Sequence, residues 1–339
     1  MTPLRVSSPD QLEFVESSKL QREAGKSIEE VMSSSATYPF AMMLSGSAPY
    51  IAAHAGEVIV FHIPGDFLET DSADSLLSDI ALARILGMKI VIVVGCRYDL
   101  DQCDLDFAGN AHECFNSLKV TDERTLRRLE EEVGFMRTEL ERKLNRYMRM
   151  HGLGTITDGN VIGGNFYTAR QFGSIRGKDF EFTGYAPSHQ VHASNIRQHL
   201  MNNDVVLLTT VGLSSLGDLV SVNGYHLAAS VAAALEAYKV VYMANEGCIL
   251  KSKQSGPVQE IPLSFVQDLL KYHEVQVHKS GYASFSRASE TLDSHAVELL
   301  LHLGWASWAL ENGVPRAHIV NPGDGAILEE LFTSKNGFN

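Results

Sequence analysis

The sequence predicts an α/β protein: a three-layer α/β/α sandwich built on a mostly parallel sheet. Three observations carry that prediction. Apolar, β-branched runs of strand length recur along the 339 residues, helical stretches separate them, and the runs end in turns that carry glycine. The runs are continuous rather than alternating, as expected of strands covered on both faces.

The first run, Glu57 to Ile63, is a buried strand stopped by Pro64-Gly65. Leu76, Leu77, Ile80, Ala81, Ile85 and Leu86 then fall at helical spacing, and Gly87 supplies a C-terminal stop. Lys89 to Gly95 is the second strand. A long charged helix follows from Thr121 to about Met150, with Asp122 and Glu123 where they complement the helix dipole. Gly163 to Gly184 reads as hairpin strands, Asn195 to Leu200 as a short helix, and Asp204 to Val211 as the third buried strand. His226 to Tyr238 is an Ala-rich helix, Val240 to Met243 the fourth strand, 294–312 a helix and Ala317 to Val320 a last short strand. The polar, Ser-rich segment 1–47 is expected to be an extension outside the core. Residues 48–339 are expected to form one domain, with an N-lobe to about 190 and a C-lobe from 191.

Composition narrows the function. With 28 Lys and Arg against 41 Asp and Glu, the formal charge is −13, which argues against a broad surface for nucleic acid or an anionic membrane. A small molecule or a protein is the expected partner. No segment has the roughly twenty apolar residues of a membrane span. Cys96, Cys103, Cys114 and Cys248 form no CxxC pair or metal-finger spacing, which suggests a reducing compartment. The first 45 residues lack the order of a signal peptide and mix several Glu with few Arg, so a cytoplasmic location is expected, a plastid one being left open without a clear transit peptide.

Parallel sheets bind ligands at the carboxyl ends of their strands, where glycine lets backbone N–H groups approach an anion. Four turns qualify: Pro64-Gly65, Gly95-Cys96-Arg97, Gly212 to Gly217, and Asn245-Glu246-Gly247. Their side chains make a poor phosphotransfer kit. His62 and Arg97 are present, but no glycine-flanked Lys is. The chain also lacks a GxxxxGK[ST] loop, a GxGxxG fingerprint, a GxSxG elbow and an HExxH motif. His189 and His192 would need a third ligand from elsewhere to hold a metal, and no metal site is assigned.

Several runs, in order, carry a resemblance. They are Ala48-Pro49-Tyr50-Ile51 with His54, Leu118 to Asp122, Gly164-Asn165-Phe166 with Asp179-Phe180 and Thr183-Gly184, Gly212 to Asp218, Gly313 to His318, and Gly325 to Thr333. Over residues 48 to 337 the chain resembles the amino-acid-kinase domain of the N-acetylglutamate synthases and, more distantly, the N-acetylglutamate kinases. The resemblance implies a carbamate-kinase-like fold and a place in arginine biosynthesis.

Carried over by position, it also implies lost kinase chemistry. The family's Lys-x-Gly-Gly becomes His62-Ile63-Pro64-Gly65; the second glycine turn keeps only Gly95; the carboxylate-gripping Arg falls at Lys119. The Asn-x-Asn-x-Asp centre falls on Ser221 to Tyr225, which keeps Asn223, and the second catalytic Lys falls near His302. His62, Gly65, Gly95, Lys119, Gly212 and Asn223 are therefore expected to line a vestigial pocket, with no catalytic residue among them.

In the synthases this domain binds the feedback effector arginine. His318 and Glu330 fall where arginine-sensitive members carry a His and a Glu, and Gly337 lies near the glycine that completes the pocket. The family's acetyl transfer, from acetyl-CoA to glutamate, belongs to a separate C-terminal domain, and only Ser334 to Asn339 follow here. That domain is expected to be absent and no cofactor to bind this chain. The resemblance further implies L-arginine as effector and a homo-oligomer, a hexamer by analogy. A divergent ATP-dependent N-acetylglutamate kinase and a non-catalytic structural subunit remain open alternatives.

Overall fold

A computed structural model describes residues 12–16, 37–96, 120–152, 159–175, 177–244, 248–252, 256–257, 261–285, 294–321, 323 and 325–332. Its elements, in chain order, begin with β1 (Leu12–Glu16), α1 (Thr37–His54), β2 (Val58–Ile63), α2 (Ala73–Ile85), β3 (Lys89–Val94) and α3 (Glu123–His151). Next come β4 (Val161–Gly163), β5 (Thr168–Gln171), β6 (Ser174–Ile175), β7 (Lys178–Asp179), β8 (Thr183–Tyr185) and α4 (Ala193–Met201). They are followed by β9 (Val205–Thr209), β10 (Val211–Ser214), β11 (Leu219–Val222), α5 (Gly224–Leu235), β12 (Lys239–Met243), β13 (Cys248–Ser252) and β14 (Gly256–Pro257). The chain continues with α6 (Leu263–Tyr272), β15 (Gln276–Val277), β16 (Ala283–Ser284), α7 (Ser294–Glu311), β17 (Ala317–Val320) and α8 (Ala326–Phe332).

The central sheet has the order β17-β12-β2-β3-β9-β4, with every pair parallel. All but the first residue of β2 and of β3 are buried, which explains why these strands read as unbroken apolar runs. Successive side chains point to opposite faces, so each strand feeds two cores. Ile59, Phe61 and Ile63 join Leu76, Leu77 and Ile80 of α2, Leu140 and Leu144 of α3, and Ile327 and Leu331 of α8. Val60, Val206 and Leu208 join the small residues of α5, Ile196 of α4 and Trp305 of α7. Sheet and two helical layers make the sandwich that the alternation predicts. Beside it, β10-β11-β8-β5 close a small barrel.

Local chemistry sets the element ends. Asp122 caps α3 by accepting from the Thr125 amide at 2.7 Å, and Leu126, Leu129, Met136, Leu140, Leu144 and Met148 lay one apolar stripe along eight turns of otherwise charged helix. Gly87, at φ +98°, ends α2 in a conformation that costs other residues strain. Two expectations change. The boundary placed after Ser47 falls inside α1, and Leu12–Glu16, in the segment read as an extension, pairs antiparallel with Cys248–Ser252. A polar context around a five-residue run hides a strand whose partner lies more than two hundred residues away.

Candidate functional site

The predicted site residues fall at opposite ends of the parallel sheet. At the carboxyl ends lie His62, Gly65, Gly95 and Asn223. His62, the next-to-last residue of β2, is 2% exposed and faces α5 and α7. The Tyr225 ring lies tilted against it at 4.3 Å between centroids, Tyr242 lies at 5.8 Å, and Tyr225 in turn meets His302 edge to face at 4.8 Å. Burial pushes the His62 imidazole down to about 3, with His302 adding to the effect, so the ring is neutral at physiological pH. His302 is likewise pushed down to about 4 by burial, and its Nδ1 donates to the Glu298 carbonyl at 2.8 Å.

The glycines there do not form an anion cradle. The Gly95 amide donates to the Ile63 carbonyl at 2.9 Å, and a Cβ on Gly95 would stand 3.4 Å from the Gly65 nitrogen, so the two turns pack on each other. A Cβ on Gly224 would sit 2.8 Å from His62 Nε2, which seals the start of α5. Asn223 is spent as the cap of α5, its side chain accepting from the His226 amide at 3.0 Å. These groups do not fit a nucleotide or a coenzyme pyrophosphate, and no step is assigned through either.

Gly212 corrects the sequence reading. It lies within β10, not in a ligand turn, and the hairpin turn comes after Ser214. A Cβ on Gly212 would meet the Tyr167 ring at 2.4 Å, so the glycine makes room for a buried aromatic whose hydroxyl donates to the Thr209 carbonyl. Lys119, Arg97, Asn245 to Gly247 and Gly337 lie outside the described residues. Of the histidine pair, His192 is within hydrogen-bond distance of the Thr168 hydroxyl at 3.1 Å, and no group of three metal-binding side chains forms among the described residues.

At the amino ends of β12 and β17 the other two candidates come together. Alternation along β17 turns His318 and Val320 to the face covered by α8, and His318 Nδ1 contacts the Glu330 carboxylate directly. Twelve residues apart in sequence, the two side chains are 14% and 15% exposed. Next to them sits Lys239, the first residue of β12. It is fully buried, and its Nζ has no hydrogen-bond partner among the described residues. Burial pushes its amine down to about 8, Glu330 draws it back up and Arg316 opposes. Arg316 lies 5.8 Å over the Tyr238 ring, and Tyr238 meets His54 of α1 edge to face at 5.5 Å. His54 is held below its usual value by burial and then by the cations Lys239 and Arg316, while its Nδ1 donates to the Tyr50 carbonyl.

Lys239, Arg316 and His54 are therefore the residues that sequence reasoning missed. A signal for Lys239 existed: it is the one charged residue opening the apolar run that continues to Met243, and reading the strand from Val240 left it out. The cluster presents one carboxylate beside a buried ammonium that has no hydrogen-bond partner among the described residues and lies 6.0 Å over the Tyr238 ring. That pattern suits a ligand carrying both a cation and an anion, with a guanidinium able to bond the carboxylate bidentately.

No family model matches the chain. Among curated proteins, an amino-acid acetyltransferase of Neisseria meningitidis serogroup A is 30% identical over 292 residues, covering 86% of this chain and 60% of its own length. That of Shewanella oneidensis is 28% identical over 293 residues, with 85% and 60% covered. A solved N-acetylglutamate synthase from Neisseria gonorrhoeae, complexed with coenzyme A and L-arginine, matches at 28% identity and a TM-score of 0.68, over 88% of this chain and 64% of that one. The chain is homologous to the N-acetylglutamate synthases. It spans about 60% of the length of the curated relatives it matches. A carbamate kinase of Giardia, at 13% identity and a TM-score of 0.51, shares the fold alone. The kinase-type sandwich of this N-acetylglutamate-synthase-like chain is thus shown, and no described helix is long and apolar enough to cross a membrane.

Proposed function

We propose that this chain is the arginine-sensing, non-phosphorylating part of an N-acetylglutamate-synthase-like protein of arginine biosynthesis. The observation that carries the reading is the meeting of His318, Glu330 and Lys239 at the amino end of the sheet. A buried lysine without a hydrogen-bond acceptor costs stability, and an α-carboxylate would supply one. Glu330 would take the guanidinium. The synthase relative solved with L-arginine supports the choice of ligand. The family's acetyl transfer from acetyl-CoA to glutamate belongs to the reading as a property of the whole synthase, and we assign no catalyst for it here.

The packed, neutral ring cluster about His62 weighs against a divergent kinase, because it offers no cation to a transferring phosphoryl group. No turnover of ATP with N-acetylglutamate is expected, and measurable turnover lost in His62→Ala would reverse that. Exposed Met42, Met43 and Leu44 on α1 favour a homo-oligomer, which light scattering would report. The ligand reading is tested by thermal shift. L-Arginine should raise the melting temperature, whereas citrulline, without the charged guanidinium, and agmatine, without the carboxylate, should raise it far less. Equal responses to all three, or none to any, would refute it.

A further inference from the structure

We propose that the cleft between α6, α7 and the β15–β16 hairpin is a second ligand site, built for an α-amino acid with a large apolar side chain. It shares no residue with the amino-end cluster, and it stands whether or not that cluster binds arginine.

Helical period assembles two of its walls. Gly304, Ser307, Trp308 and Glu311 fall three and four residues apart on α7 and so share one face, and Gln267, Leu270 and Lys271 do the same on α6. The hairpin is the third wall. Gly304 lets it close on α7, since a Cβ there would stand 2.7 Å from Val277 Cγ2. Together the walls enclose a cleft of about 740 Å³. Small-molecule sites usually span roughly 300–1,000 Å³.

The lining divides into an apolar part and a charged part. Leu270, Val275 and Phe285 are buried along it, and Trp308 is half-buried, with Trp305 at 6.4 Å and His226 at 5.8 Å between ring centroids. These surfaces suit an aromatic or long aliphatic side chain. The exposed part carries Lys271 as its cation and Glu274 and Glu311 as its acids. Glu311 is held in place: Gln267 Nε2 donates to its Oε1 at 2.7 Å, and the buried Ser307 hydroxyl donates to the same oxygen at 3.4 Å. The other oxygen is the one a ligand ammonium would meet. Gln267 lies about one turn before Lys271, so its bond also brings the α6 cation close to the α7 carboxylate. A purely apolar ligand answers neither charge. An α-amino acid answers both, its carboxylate bonding Lys271 and its ammonium Glu311 while the side chain lies on Trp308 and Phe285.

Trp305 and Trp308 are the two tryptophans of the chain, and Trp305 is fully buried, so tryptophan emission reports on the cleft. The probe is L-phenylalanine, which leaves that emission unobscured. Titration of the full chain should give a saturable change, much reduced in Trp308→Phe, while equilibrium dialysis shows that this variant still binds. Phenethylamine, without the carboxylate, and 3-phenylpropionate, without the ammonium, should bind about tenfold more weakly, as expected for one lost charge-assisted contact. Lys271→Gln should bind phenylalanine no better than phenethylamine, and Glu311→Gln no better than 3-phenylpropionate. Both side chains are exposed, so both variants should fold. Equal affinity of the wild type for all three ligands would overturn the proposal, as would wild-type discrimination persisting in both variants or no saturable response to millimolar phenylalanine. Emission that shifts with protein concentration instead would make the cleft a contact between copies of the chain and overturn it too.

Discussion

Lys239 is a residue that stability alone would not select. Buried at the start of β12 with no hydrogen-bond partner among the described residues, it keeps a depressed amine beside one carboxylate and one guanidinium. Replacing it with Met removes an unsatisfied buried charge and keeps the shape. The ligand-free protein should gain about 1–3 kcal/mol, read by urea denaturation, while its response to arginine disappears. Loss of stability together with loss of binding would instead make Lys239 a structural residue.

The buried imidazoles make a second prediction at this scale. His62 and His226 sit near 3 and His302 near 4 in the folded chain, against an ordinary 6.5, chiefly through burial. Between those values the unfolded chain binds more protons, so stability is present above about pH 6.5 and lost as pH falls towards 4. Each group contributes up to roughly 1.4 kcal/mol per pH unit. Denaturation midpoints at neutral and mildly acid pH should differ accordingly, and a midpoint indifferent to pH would mean that these rings are not buried as described.

Among the elements, α3 and β10 separate what sequence can and cannot tell. The apolar stripe of α3 is legible because helical period alone gathers Leu140, Leu144 and Met148 on one face. Leu140→Ala should cost about 2–5 kcal/mol, as for other fully buried leucines, without touching ligand binding. Gly212 was legible only as a glycine. Whether it serves a ligand or a packed ring depends on Tyr167, forty-five residues earlier in the chain, which no local pattern reveals. Gly212→Ala should therefore destabilise by roughly 1–3 kcal/mol through the clash with that ring and leave arginine affinity unchanged, which melting and titration together would check. His318 and Glu330 were legible as a pair only through resemblance, and their contact comes from strand alternation and the docking of α8. Lys239 could not be assigned to a pocket from one strand, because the cations and the acid around it come from α1, β17 and α8.

For the whole molecule, the sheet has two ends with different fates. Its alternating grammar made the sandwich predictable, whereas the pairing of Leu12–Glu16 with Cys248–Ser252 and the closed β5-β8-β11-β10 barrel depend on long-range partners. Among the described residues at the carboxyl end, where such sheets bind ligands, His62, Tyr225, Tyr242 and His302 pack on one another. The amino end carries the buried Lys239 beside the His318–Glu330 contact. Hydrogen exchange with and without L-arginine tests this division most directly. Arginine should slow exchange in peptides spanning 50–58, 236–243 and 316–332 and leave those at 62–67 and 221–228 unchanged. Protection confined to the carboxyl-end peptides would contradict it.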